Sequence, residues 1–212
     1  TLSLHNALPI SILVELAAGS LLLCVIMVMI ISIIIGMGSS TTGSYIILSV
    51  VAAPALIHLG VVPVAAHLVV FYAACLSNIT PPVCVSAFAA AALAKADPMQ
   101  TGFAALKFGF ALIFLPFGFV YLPPLLLNGS VFEVIYTVVM LLLGFMALSM
   151  MLQGADFLRS GLSWSKRALY LSAALLLLLP VPLFLNLAGI GLLALGWLPS
   201  LIAYRRDLPA HN

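Results

Sequence analysis

Ser77-Asn78-Ile79-Thr80-Pro81-Pro82 lies near the middle of an apolar run from Val61 to Ala94. Pro81 has no N–H to give the carbonyl of Ser77, and Pro82 has none for the carbonyl of Asn78. The residue before each proline is pushed out of the α region, so Thr80 and Pro81 are expected to leave helical geometry. Two freed carbonyls would then sit beside two hydroxyls and one amide at mid-membrane depth. Non-helical backbone survives there only where it is buried in protein or lines a cavity. A helix broken at the midplane and rich in oxygen is a device with which secondary transporters hold a coupling cation. The plainer reading of the same residues is a kink with locally satisfied hydroxyls.

Working outward, composition places this break in a membrane. Of 212 residues, 65% are hydrophobic and 6% charged, with mean hydropathy +1.34. Soluble domains carry about 25% charged residues. The chain therefore reads as an all-α integral membrane protein, because helices satisfy their own backbone groups in lipid. The alternating ~10-residue segments of a membrane barrel are absent. Net charge is +2, and nothing suggests a nucleic-acid partner. Cys24, Cys75 and Cys84 lie in apolar runs without ligand spacing and read as small hydrophobes.

Before the break, Ser20 to Ile35 is an apolar run of roughly 16 residues, short of the ~20 that a span needs. Gly36-Met37-Gly38-Ser39-Ser40-Thr41-Thr42-Gly43-Ser44 follows, a second small and oxygen-rich stretch. A second short arm, Tyr45 to Ile57, is interrupted by Pro54. Two short arms around a polar tip read as a re-entrant hairpin; the alternative is two ordinary spans joined by a loop. After the break, Asp97 and Pro98 suit the N-cap and first position of a new helix. Thr101 to Leu122 spans, with Pro116 expected to kink it. Val131 to Leu152 spans, with Glu133 in its favourable first turn. The polar connection Gln153 to Lys166 follows. A last pair is expected at Ala168–Leu187 and Gly189–Tyr204, ahead of the polar Arg205-Arg206-Asp207.

With alternating crossings, Lys95 and Lys107, the Arg159–Arg167 loop and Arg205-Arg206 share one side. The positive-inside rule makes that side cytoplasmic, and the hairpin then opens from the outside. His67 is expected to hydrogen-bond a neighbouring helix. Tyr45, Phe71 and Tyr72 are read as packing or interface residues. Intramembrane hydrolysis is disfavoured: there is no H-E-x-x-H, there are no paired carboxylates at depth, and Gly36-Met37-Gly38-Ser39 has no nucleophile partner besides His58 or His67.

These motifs resemble the large membrane subunit of TRAP transporters, the tripartite ATP-independent periplasmic family, and more closely the fused permease of its TAXI branch. The likeness runs through Gly36-Met37-Gly38-x-x-Thr41-Thr42-x-x-Tyr45-Ile46, Ala52-Ala53-Pro54-Ala55-Leu56 and Ala65-Ala66-His67-Leu68-Val69-Val70-Phe71-Tyr72. It continues through Leu76-Ser77-x-Ile79-Thr80-Pro81-Pro82 and Ala96-Asp97-Pro98-Met99-x-Thr101-Gly102-Phe103. Ser39-Ser40 departs from the Leu-Pro usual in that branch. The resemblance implies an elevator-type permease of the ion transporter superfamily, built from two inverted repeats, coupled to Na⁺ and served by a soluble periplasmic binding protein. Residues 11–127 would be the second repeat and 128–212 extra C-terminal transmembrane helices.

Residues 1–10 resemble a translated sequencing adaptor and are read as a non-native scar, the alternative being a polar lead-in. On these expectations the chain is the C-terminal fragment of a permease in a bacterial inner membrane. Its partners would be the binding protein, a small transmembrane subunit or its fused equivalent, and lipid; the solutes would be small organic acids. No cofactor is expected beyond the coupling ion. Gly36, Gly38, Ser39, Ser40, Thr41, Thr42, Ser77, Asn78, Thr80, Pro81 and Pro82 are the candidate cation and substrate residues. Na⁺ is expected at Gly36, Thr41, Ser77, Asn78 and Thr80. The competing class is a membrane scaffold that keeps broken helices as packing devices.

Overall fold

The computed structural model describes residues 12–155 and 161–207, the last nine by backbone alone. The adaptor-like segment, the Asp156–Arg159 stretch and the side chains of Arg205, Arg206 and Asp207 lie outside the described side chains. Among the described residues every regular element is a helix, and the chain forms two compact units, Thr1–Leu126 and Leu127–Asn212.

In the first unit a short helical stretch over residues 12–16 precedes α1, Leu21–Met37, which is capped by Ser20, whose side chain accepts from the Leu23 amide. The polar tip is shorter than the sequence suggests. Only Gly38, Ser39 and Ser40 separate α1 from α2, Thr41–Val51. Ser40 caps α2, its Oγ accepting from the Gly43 amide at 3.1 Å, and so draws Thr41 to Ser44 into the first helical turns. Pro54 restarts the helix as α3, Ala53–His58. With α2 it makes Thr41–His58 long and apolar enough to cross a membrane, whereas Leu21–Met37 is shorter. The second arm is therefore longer than the sequence suggests.

Helix α4, Pro63–Leu76, is the centre of this unit; α1, α2, α3 and α7 (Leu115–Tyr121) all pack on it. Lipid supplies no hydrophobic drive between helices, so close packing of small residues carries the association. Ala65, Ala66 and Ala73 on α4 are buried against Cys24, Val25 and Val28 of α1 and Leu48, Ala52 and Leu56 of the second arm. A 3₁₀ turn, Ser77–Ile79, ends α4, and α5, Val85–Ala94, resumes beyond the prolines. Helix α6, Pro98–Gly109, begins as expected: Asp97 accepts from the Gln100 amide at 2.7 Å, with Pro98 inside the first turn.

A 3₁₀ segment, Phe110–Phe114, joins α6 to α7, making Pro98–Tyr121 a second spanning candidate. The expected kink at Pro116 takes this form because the proline cannot bond the Leu112 carbonyl; the Leu115 amide takes that acceptor instead.

In the second unit, α8 (Val131–Gln153) carries a full capping box. The Ser130 Oγ accepts from the Glu133 amide, and the Glu133 carboxylate accepts from the Ser130 amide. The remaining helices are α9, Trp164–Leu178, and α10, Leu183–Asp207. The expected pair Ala168–Leu187 and Gly189–Tyr204 is thus corrected: the connection falls at Leu179–Pro182, not near Asn186–Ala188. Pro180 and Pro182 end α9 there, although hydropathy runs on through them. Asn186 lies instead inside α10, where its amide donates to the Tyr136 hydroxyl at 2.7 Å.

Candidate functional site

The two oxygen-rich stretches meet. Asn78 donates its side-chain amide to Thr41 Oγ1 of α2 at 3.1 Å. Gly36, in the last turn of α1, lies so close to the break that a Cβ there would stand 2.6 Å from Ser77 Oγ and 3.1 Å from the Ala74 carbonyl. Helices α1 and α4 therefore end together at the break, and the tip that links α1 to α2 lies against it.

The break itself departs in part from the expectation. Thr80 leaves the helix, with φ −98° and ψ 119°. The Ser77 carbonyl is not free, however: the Thr80 amide donates to it at 3.3 Å, a 3₁₀ bond that replaces the one Pro81 cannot make. Pro81 and Pro82, joined by a cis peptide bond, pass into Cys84, whose φ of 23° is unusual for a residue with a side chain.

The side chains orient their protons in one way. Ser77 Oγ donates to the Ala74 carbonyl at 2.7 Å, and Thr80 Oγ1 to the Leu76 carbonyl at 2.7 Å. The Asn78 amide gives its second proton to the Cys75 carbonyl at 3.1 Å. With their protons committed to protein acceptors, the oxygens of Ser77 and Thr80 and the amide oxygen of Asn78 keep lone pairs to offer. No carboxylate belongs to either stretch, and among the described residues no cluster of three His, Cys, Asp or Glu could hold a metal. The donor set is neutral oxygen alone, which fits a small monovalent cation better than Ca²⁺, whose sites recruit carboxylates.

The remaining candidates divide. Ser39 hydrogen-bonds Ser44 at 2.6 Å, and Ser44 also donates toward the Ser40 carbonyl, so these residues brace the tip. Thr42 is exposed, one position round the helix from Thr41, and no hydrogen bond joins it to the break. Gly38 and Gly43 have room for a Cβ or nearly so, and neither they nor Gly36 adopts a positive φ. Left-handed freedom is thus not what the tip uses: close approach at Gly36 is what demands glycine.

Composition does not flag three other contributors. Ser44 is fully buried in the tip. Gly102 and Gly109 of the α6 face seat on the break, where a Cβ would meet Cys84 Sγ at 2.6 Å and Ile79 Cδ1 respectively; beyond the place of Gly102 in the Ala96–Phe103 motif, their spacing of one heptad is the signal for them. His67 does bond a neighbouring helix, through Tyr45 Oη at 3.2 Å, at the edge of an open apolar cleft of ≈ 470 Å³ that Phe71 also lines.

The sequence pattern of the tripartite ATP-independent periplasmic transporter DctM component matches residues 7–134, which takes in the hairpin, the break and α6. The chain belongs to the DctM family. This DctM member is thus a multi-pass membrane protein of a transporter component family, not of an enzyme family. No curated protein and no solved structure matches it at a significant level.

Proposed function

We propose that this DctM-family chain forms the second, ion-coupled repeat of the permease in a Na⁺-driven, binding-protein-dependent transporter for small organic acids, of the TAXI type, in a bacterial inner membrane. The observation that carries the reading is the Asn78–Thr41 bond. It ties an oxygen-rich hairpin tip to an oxygen-rich helix break, from segments far apart in the chain.

Ser77, Asn78 and Thr80 from the break, Thr41 from α2 and backbone near Gly36 would hold the ion. An ion there supplies positive charge beside an anionic solute. Uncharged ligands give modest affinity and so permit release in each cycle. A periplasmic binding protein would deliver the solute and a small transmembrane subunit, or its fused equivalent, would complete the membrane part.

The test is solute uptake into vesicles holding the complete transporter, titrated with Na⁺ against K⁺. Uptake that saturates with Na⁺, with a half-saturation point shifted upward by Thr80→Ala, supports the proposal. Uptake indifferent to Na⁺ in both proteins sinks it.

A further inference from the structure

Thr41 and Tyr45 stand one turn apart on the same face of α2. That face meets α4 and the break, with the two helices running in opposite senses. Thr41 lies against Asn78, and Tyr45, about 6 Å further along α2, lies against Phe71 and His67. The next residues of the stripe, Leu48 and Ala52, are buried and apolar.

Tyr45 is held on α4 in three ways. Its hydroxyl shares a hydrogen bond with His67 Nδ1 at 3.2 Å. Its ring meets the His67 ring edge-on, with centroids 6.1 Å apart and planes at 63°. It meets Phe71 in the same manner, at 5.7 Å and 90°. Edge-to-face is a favoured arrangement for aromatic pairs, so the ring has a defined seat.

The Asn78–Thr41 bond cannot alone set where the Thr41 oxygen stands. Thr41 is the first residue of α2, and one bond between two rotatable side chains leaves that helix free to turn and slide on α4. Ser44 ties the tip to α1 instead, its Oγ donating toward the Ile35 carbonyl at 3.4 Å. The packing of Leu48 and Ala52 is not directional. Between helices in lipid, where the hydrophobic drive is absent, side-chain hydrogen bonds help to set the pairing. The Tyr45–His67 bond is such a bond, one turn from Thr41. Two bonds at successive turns fix both the rotation and the axial register of α2.

We propose that Tyr45 is a positioning residue for the cation site: through His67 it holds α2 so that Thr41 Oγ1 stays within reach of an ion at Ser77, Asn78 and Thr80. This rests on the cation reading of the two oxygen-rich stretches. Tyr45 contributes no oxygen to the ion, because its hydroxyl is engaged by His67, and acts only through Thr41.

Na⁺ titration of solute uptake into vesicles holding the complete transporter tests it. Tyr45→Phe keeps the ring and loses the hydroxyl; His67→Leu removes the partner. Each should raise the Na⁺ concentration for half-maximal uptake by about two- to fivefold, on the scale of one hydrogen bond, with the rate at saturating Na⁺ near the parent's. The double variant should be no worse than either single one, because both remove the same bond. His67→Asn, which keeps a polar atom near the position of Nδ1, should stay near the parent. The deciding arm is the Thr41→Ala background. There Tyr45→Phe should cause no further shift, whereas in a Thr80→Ala background its shift should persist. A Tyr45→Phe shift that survives in Thr41→Ala overturns the proposal, since general loosening of the helix would act in either background. So does a Tyr45→Phe variant with the parent's Na⁺ dependence while Thr41→Ala is shifted; the cation reading then stands without the positioning role. If Thr41→Ala itself leaves the Na⁺ dependence unchanged, the place of Thr41 in the cation site falls and the positioning role falls with it.

Discussion

Asn78 reaches across 37 positions of sequence to donate to Thr41 Oγ1, and this bond fastens the helical hairpin to the broken helix. A hydrogen bond of this kind is worth about 1 kcal/mol net, and more when its loss strands a buried donor. In the complete transporter, Thr41→Ala and Thr80→Ala should each raise the Na⁺ concentration for half-maximal uptake by roughly three- to tenfold, on the scale of one lost oxygen contact. Thr41→Ser and Thr80→Ser keep the oxygen and should stay near the parent. Alanine variants with unchanged Na⁺ dependence would make both breaks hinges and nothing more.

Gly36 and Gly38 offer an internal comparison. A Cβ on Gly36 meets Ser77, whereas one on Gly38 has its nearest neighbour at 3.8 Å. Gly36→Ala should destabilise the chain by about 1–3 kcal/mol through overpacking, and Gly38→Ala by well under that. Thermal unfolding in detergent measures both, and equal shifts would contradict the close approach of α1 to the break.

Ser32 makes the opposite case. It is fully buried in α1, and its hydroxyl has no hydrogen-bond partner. Removing an unsatisfied buried hydroxyl from a helix interior, with alanine's better helix propensity, should leave stability unchanged or raise it by about 1 kcal/mol. A lower unfolding temperature for Ser32→Ala would mean that the hydroxyl is bonded in the membrane-embedded protein.

Orientation can be read with single cysteines. Lys95, at the end of α5, should be shielded from an impermeant thiol reagent in intact cells, and Asn128, before α8, should react. The basis is the one-sided distribution of Lys and Arg along the chain. Ready labelling at Lys95 alone, with Asn128 protected, would invert the topology.

The helices were legible where a single residue dictates a boundary. Asp97 and Pro98 announce α6, and Ser77 to Pro82 announces the break, because prolines remove donors whatever surrounds them. Boundaries set by competition were harder. Ser40 turns Thr41–Ser44 into helix although their composition reads as loop, and hydropathy alone cannot see that Pro180 and Pro182 end α9 inside an apolar run. At the site, the residue types near the break were visible, but their proton directions were not. That the Thr80 amide reclaims the Ser77 carbonyl is a matter of local geometry. Gly102 and Gly109 look like ordinary helical glycines until their neighbours are known.

The neutrality of the oxygen cluster also bears on the membrane potential. A site built without carboxylates has no charge of its own when empty and the ion's full charge when filled. On the proposed reading, the field therefore acts on the loaded cluster and leaves the empty one untouched. One elementary charge crossing the bilayer is worth ~2.3 kcal/mol per 100 mV. An inside-negative voltage would thus drive the inward step only as far as the bound cations outnumber the solute's negative charges, while exerting no opposing pull on the cluster's return.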